Sequence, residues 1–215
     1  MKNYLDLEDF KKIIFRINEN VEKNIEYLSK LDSVIGDGDH GITISSGFRS
    51  TVEKISEKDF TSISEFLKFV GNNFMLTIGG TTGPIFGYLF SEMGKTAEGL
   101  NEKISPDDLC LMFTNSLNKI MKIGGAKPGD KTMIDALYPA INSLKESISQ
   151  KLSLKNSLYL MAEAAKKGAE LTKEMIAIKG RARYLGERSL GYQDAGATST
   201  YIIISAFFEI LNDQQ

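Results

Sequence analysis

Phe10, Ile14, Ile17, Val21, Ile25 and Leu28 follow one another at intervals of four, three, four, four and three residues. That is one face of a helix with 3.6 residues per turn. Lys, Asn and Glu fill the opposite face, so the pattern predicts an amphipathic helix running to about Lys30, just before a glycine-punctuated stretch. The same plan recurs and predicts helices near 41–57, 62–78, 83–98, 106–123, 131–149, 155–178 and 196–212. Ser105-Pro106-Asp107-Asp108 reads as a helix start, with a cap, a proline at the first helical position and acids against the positive end of the helix dipole. Pro139 falls inside the sixth of these helices and predicts a kink, since proline removes a backbone donor there. Tyr201-Ile202-Ile203-Ile204 would suit a buried strand equally well, but apolar residues continue to Leu211 and that length favours helix. Eight helices with short connections predict an all-α fold, antiparallel and up-and-down, in one domain over residues 1–215.

Composition narrows the function. Apolar residues make up 42% of the 215, enough for a sizeable core. Lys+Arg at 26 against Asp+Glu at 28 leave a net charge of −2, with no basic excess to neutralise nucleic-acid phosphates. Cys110 is the only cysteine, which excludes an internal disulfide. The first ten residues carry acids and lack the apolar stretch of a signal peptide. The longest strongly apolar run, Tyr201 to Phe208, is ended by Glu209, well short of the ~20 residues that span a bilayer. The expectation is a cytoplasmic protein with neither nucleic acid nor membrane as partner.

Chemistry concentrates in four glycine-rich connections. In the first, Asp32, Asp37 and Asp39 fall within eight residues, with Gly36, Gly38 and Gly41 between and after them. Carboxylates this close repel one another unless a cation neutralises them, and glycines let the backbone fold so that they converge. Oxygen donors of this kind suit Mg²⁺ or Ca²⁺ rather than zinc. An EF-hand is excluded: a loop counted from Asp32 has Val34 at its third position, and one counted from Asp37 has Phe48 at its twelfth. A solvated turn is the alternative for Asp-Gly-Asp alone. With Asp32 added and a helix starting at Gly41, whose free N–H groups suit a phosphate, metal binding is the stronger reading. Elsewhere no Ser/His/Asp set, Cys/His pair or zinc cluster is available, because His40 and Cys110 are each alone in the chain.

The run from Leu31 to Gly41 resembles the signature of the nucleotide-binding module of dihydroxyacetone kinases. The resemblance implies that Asp32, Asp37 and Asp39 hold two Mg²⁺ ions on the phosphates of bound ADP or ATP. It also implies nucleotide contacts from His40, Gly41, Ile42 and Thr43. Related fatty-acid kinase domains usually have Thr where His40 stands, so His40 favours the dihydroxyacetone branch.

The other three connections follow the same family order. Gly79-Gly80-Thr81-Thr82-Gly83-Pro84 is explained, taken alone, by a helix end followed by a helix start. It matches the family's Gly-Gly-x-x-Gly phosphate loop, with Thr81 and Thr82 where small residues are commoner. Gly124 to Thr132 is not a Walker A loop, because Asp130 separates Gly129 from Lys131 and the segment follows a helix rather than a strand. Its resemblance to the family's Pro-Gly-Asp-Lys-Thr-Met run implies that Gly124 and Met133 line an adenine pocket. Met133 by itself would more often be core. The connection from Lys179 to Thr198 is unusually long for a compact helical protein, and such loops are more often functional. It resembles the family's Gly-Arg-Ala-x-Tyr-Leu-Gly-Glu-Arg-Ser motif, which implies that Arg181 contacts the nucleotide and acts with the three aspartates in catalysis. Asp194, Ala195 and Gly196 match a further nucleotide segment, with Ala195 and Tyr192 where the family often has Pro and His.

The resemblance runs from about Asp6 to Ile210 and implies an eight-helix barrel with the nucleotide at one end. In a separate subunit of this kind it implies ADP as a resident cofactor. The resemblance further implies a DhaM-type protein of the phosphotransferase system as phosphoryl donor and a DhaK-type subunit that holds dihydroxyacetone. Alternatives are a nucleotide subunit for another ketose or triose, direct exchange of ATP, or a regulator that binds a transcription factor.

Overall fold

The computed structural model describes residues 2–212. Among these residues there are nine α-helices: α1 (Leu7–Lys23), α2 (Ile25–Ile35), α3 (His40–Ile55), α4 (Ile63–Thr77), α5 (Thr82–Ala97), α6 (Pro106–Gly124), α7 (Ile134–Ser149), α8 (Leu154–Leu171) and α9 (Ala195–Asn212). Tighter 3₁₀ turns cover Thr172–Glu174 and Arg181–Ser189. No strand forms among the described residues; a lone antiparallel bridge joins Leu5 to Ile104. The all-α class is as expected from the pattern, and no described helix is long and apolar enough to cross a membrane.

Three boundaries differ from the sequence expectation. The first helix does not stop near Lys30. It breaks at Asn24, whose side-chain amide donates to the Asn20 carbonyl at 2.8 Å and whose N–H goes to the Val21 carbonyl. α2 then carries on past Asp32 to Ile35. Asparagine offers the backbone a local alternative to the helical ladder, and the apolar stripe keeps its phase across the break. α7 begins at Ile134 rather than at 131, because residues 129–132 wrap around a carboxylate described below. α8 ends at Leu171, not near 178, since the N–H groups of Ala177 and Ile178 bond to Ser189 and Asp130 instead.

Consecutive helices pack on one another from α3 to α9, and α9 returns against α1, which itself packs on α3. The order of neighbours therefore closes, with α2 lying beside α3 and α9. Side-chain hydrogen bonds tie neighbouring helices together. Asn73 on α4 donates to Thr51 on α3 at 2.9 Å, and Ser116 on α6 donates to the Leu89 carbonyl of α5 at 2.8 Å. α7 is assigned as one helix through Pro139. The Asp135 carbonyl, whose helical donor proline removes, faces α8 at Gly168, where a Cβ would lie 2.2 Å from that oxygen.

The interior is filled by aromatic and branched side chains. Phe113 of α6 meets Phe207 of α9 at 5.2 Å between ring centres, and Phe207 meets Phe10 of α1 edge-on at 6.4 Å. Phe48, Phe74 and Phe90 form a second edge-on group shared by α3, α4 and α5. Each fully buried Phe contributes about 1.5–3 kcal/mol.

The helix starts fall into two sets. α1, α4, α6 and α8 are capped by the side chains of Asp6, Ser62, Ser105 and Ser153, as Ser105-Pro106 foreshadowed. α2, α3, α5 and α7 have no side-chain cap.

Candidate functional site

Asp32, Asp37 and Asp39 come together where α2 hands over to α3. Asp32 lies in the last turn of α2 rather than in a loop. One of its oxygens, Oδ2, accepts the N–H groups of Gly38 at 2.8 Å, Asp39 at 3.1 Å and His40 at 3.3 Å. Those bonds curl residues 36–40 back over the helix end. A Cβ at Gly36 would sit 2.1 Å from Asp32 Oδ1 and displace that carboxylate, and Gly38 adopts φ +78°. One oxygen from each carboxylate falls within 4.8 Å of the others. Asp37 is in addition ion-paired with Arg181, so the long connection after α8 reaches the acidic turn.

The donor set fits a divalent hard cation: three carboxylates, two exposed and one half-buried, close enough to share an ion and open enough for further oxygen ligands. α3 starts directly behind them. Its cap position, Asp39, makes no side-chain bond to the helix, and helix starts leave backbone N–H groups without intrahelical partners. Ile42 stands out at the mouth, 63% exposed, with Gly41 buried and Thr43 half-buried behind it. The imidazole of His40 turns inward. Its Nε2 pairs with Ser199 Oγ of α9 at 2.9 Å, and the ring lies 6.3 Å from Phe86 of α5. Burial pushes its pKa below the usual value, against the opposing charges of Asp32 and Asp39.

The remaining expected residues flank this centre. Thr81 precedes α5 and Thr82 opens it, again without a side-chain cap. The Phe86–His40 contact joins that helix to α3. Gly124 ends α6. A Cβ there would lie 3.4 Å from Ile85 Cδ1 of α5. Met133 is buried, 5% exposed, and a Cβ at Gly196 would lie 3.8 Å from its backbone nitrogen. Ala195 and Gly196 form the first turn of α9, which begins one residue before the expected start at 196. Asp194 caps that helix by accepting the Ala197 N–H at 2.7 Å, while its own N–H donates to Thr172 Oγ1 at 2.9 Å. Burial raises the Asp194 pKa to about 7, helped by the charges of Asp135 and Asp32 and opposed by the Ala197 N–H and Lys131. Asp32 is thus electrostatically linked to the far side of the site. Thr81, Thr82 and Gly124 make no described bond to the aspartates.

Lys131 was missed by sequence reading. It is 1% exposed, has φ +60°, and donates through Nζ to the carbonyls of Met175, at 3.1 Å, and Ser189. Burial lowers its pKa, with Asp194 acting the other way. Its sequence signal was faint: a lone cation between a Gly-Asp turn and an apolar helix start, where a solvent-facing side chain is the usual outcome.

Known proteins bear on this arrangement. The DAK2 domain profile matches residues 34–209. The chain is 38% identical over 179 residues to the ADP-binding subunit DhaL of the PEP-dependent dihydroxyacetone kinase of Escherichia coli, covering 83% of this chain and 85% of that one. It is 34% identical over 196 residues to the corresponding PTS-dependent subunit of Lactococcus lactis, covering 91% and 93%. In structure it resembles the dihydroxyacetone kinase of C. freundii in complex with AMP-PNP and Mg²⁺, with a TM-score of 0.70 and 25% identity. That alignment covers 93% of this chain but 33% of the longer enzyme.

Proposed function

Because the chain belongs to the DAK2 domain family, we propose that it is the nucleotide-holding subunit of a dihydroxyacetone kinase. In this reading ADP, or ATP, sits on two Mg²⁺ ions held by Asp32, Asp37 and Asp39. The observation that carries the reading is the convergence of three carboxylates before an uncapped helix start, with Arg181 brought onto Asp37 from a connection remote in sequence.

Phosphoryl transfer asks a protein mainly for positioning and for neutralisation of charge on the transferred group. Bound metal supplies Lewis-acid neutralisation of phosphate oxygens. The chain supplies the rest. Asp32 spends one oxygen on ordering the turn and leaves the other for a ligand. The starts of α3 and α5 offer backbone N–H groups, and Thr81 and Thr82 offer hydroxyls, to phosphate oxygens. Arg181 exchanges part of its pairing with Asp37 for the transferred phosphoryl group. Gly124, Met133 and the 194–196 turn flank the base and sugar side. His40 contributes its backbone to the turn, and its ring, engaged by Ser199, is not the phosphoryl carrier.

Nothing in the chain resembles a second site for a carbonyl substrate, so the acceptor belongs on a DhaK-type partner and the donor is a DhaM-type protein. The test is reconstitution. The isolated chain with ATP, Mg²⁺ and dihydroxyacetone should make no sugar phosphate above background. Adding both partners and a phosphoryl source should start turnover with the nucleotide in catalytic amount. Consumption of ATP in proportion to product would favour direct ATP exchange. Turnover by the chain alone would overturn the half-site reading.

A further inference from the structure

The connections that follow α6 and α8 are laced together by backbone bonds. Asp135, in the first turn of α7, accepts the N–H groups of Gly129 at 2.5 Å and Thr132 at 2.7 Å, so the chain wraps around its carboxylate. Asp130 closes the turn, its carboxylate accepting the Lys127 N–H at 3.0 Å and its carbonyl accepting the Ile178 N–H at 3.1 Å. The wrapping turns Lys131 to φ +60°, a conformation that side chains with a Cβ rarely adopt and that persists only where the surroundings over-determine it.

From that position the lysine runs inward and its ammonium bonds two carbonyls, Met175 and Ser189. These mark the two feet of the segment 176–188, which carries Arg181. The second foot is braced again by Ser189 Oγ, which accepts the Ala177 N–H at 2.9 Å and donates to the Gly186 carbonyl at 2.6 Å. Above the feet, Ala177 and Ala182 pack with Ile35 of α2, Tyr184 is 75% exposed, and the Arg181–Asp37 pair ties the segment to the acidic turn. An ammonium with three freely directed donors can serve both carbonyls. An apolar side chain of similar length, such as methionine, serves neither.

We propose that Lys131 is a positioning residue, clasping both feet of the 176–188 segment and thereby setting where Arg181 stands over the three aspartates. The clasp itself is a property of the fold. Its consequence for catalysis rests on the nucleotide reading through Arg181 alone.

The full chain with Lys131→Met separates these two levels. In the nucleotide-free protein, amide exchange across 176–190 should speed up at least tenfold while α4 and α5 keep their protection. With Mg·ADP, the variant should bind at least tenfold more weakly. In the reconstituted reaction it should stay at least tenfold slow even at saturating nucleotide, which simple weakening of affinity would not cause. In an Arg181→Ala background the Lys131→Met change should add almost nothing, because both act through one group. Unchanged exchange in the segment, or full additivity with Arg181→Ala, overturns the proposal. If the wild type fails to bind Mg·ADP, the nucleotide reading falls, and amide exchange alone decides the clasp. Should Lys131→Met not fold, Ser189→Ala loosens the second foot without placing a new group in the interior and must give the same local exchange signature.

Discussion

Where α1, α4, α6 and α8 begin, the chain closes its own first turns with Asp6, Ser62, Ser105 and Ser153. Where α3 and α5 begin, it does not, although Asp39 and Thr81 are side chains that cap well elsewhere. The difference is one of placement rather than of residue type. Asp39 is turned into the cluster with Asp32 and Asp37. A missing cap costs about 1 kcal/mol, and crowding three carboxylates costs more, so this end is held in place by the core that the other end shares. The starts of α1, α4, α6 and α8 are complete in themselves, whereas those of α3 and α5 leave donors and charges for something that is not part of the chain.

The contrast is open to experiment, beginning with the aspartates. Asp37→Asn or Asp39→Asn should abolish the stabilisation that Mg·ADP gives, about 2.7 kcal/mol at a hundredfold excess over the dissociation constant. Without ligand, the variants should melt within about 1 kcal/mol of wild type, since the exposed Arg181 pair is weak. Thermal melts with and without Mg·ADP decide this, and equal ligand-induced shifts in variant and wild type would remove the metal assignment.

Asp194 gives the next largest effect, in metal- and nucleotide-free protein. Its folded pKa, about 7, lies above the ~3.9 of an unfolded aspartate. Its contribution to stability is therefore fully present below the unfolded value and is lost as pH rises through about 7. Asp194→Asn keeps the acceptor for the Ala197 N–H and never ionises. Its stability advantage over wild type should widen by roughly 2 kcal/mol between pH 5 and 8, measured by denaturant unfolding. A gap that stays constant with pH would mean that Asp194 is ionised throughout.

The capping comparison itself predicts the two smallest changes. Ser105→Ala should lower stability by about 1 kcal/mol and leave Mg·ADP affinity alone. Thr81→Ala should change apo stability by less than about 0.5 kcal/mol, because no cap is lost, and should weaken nucleotide binding. Reversal of this pattern would erase the distinction between the two ends.

Much of this was legible from residue order. The 3.6-residue stripes located the helices, the glycines located the connections, and the spacing of Asp32, Asp37 and Asp39 located the acidic turn. What escaped was decided by tertiary partners. Asn24 interrupts a stripe that stays in phase on both sides of it. Residues 175–178 look like more of α8, yet the Ala177 and Ile178 donors are claimed by Ser189 and Asp130. Ala195 falls just outside the expected 196–212 helix because that helix is capped by Asp194, three residues after Gly191. Lys131 escaped because its role depends on two carbonyls far along the chain and on a backbone conformation that no local preference announces.

The return of α9 onto α1 has a consequence for synthesis. α9 is buried along most of its length, and it brings Phe207 to Phe10 and Ser199 to His40. Those partners leave the ribosome nearly the whole chain apart, a delay of about 10 to 40 s at ~5–20 residues per second. Until then the apolar stripe of α1 is without its final cover, and the acidic turn lacks both Arg181 and the helix behind His40. The acidic turn therefore acquires its final partners late in the synthesis of this fold, and a nascent chain stalled before Gly191 leaves the apolar stripe of α1 without its α9 cover.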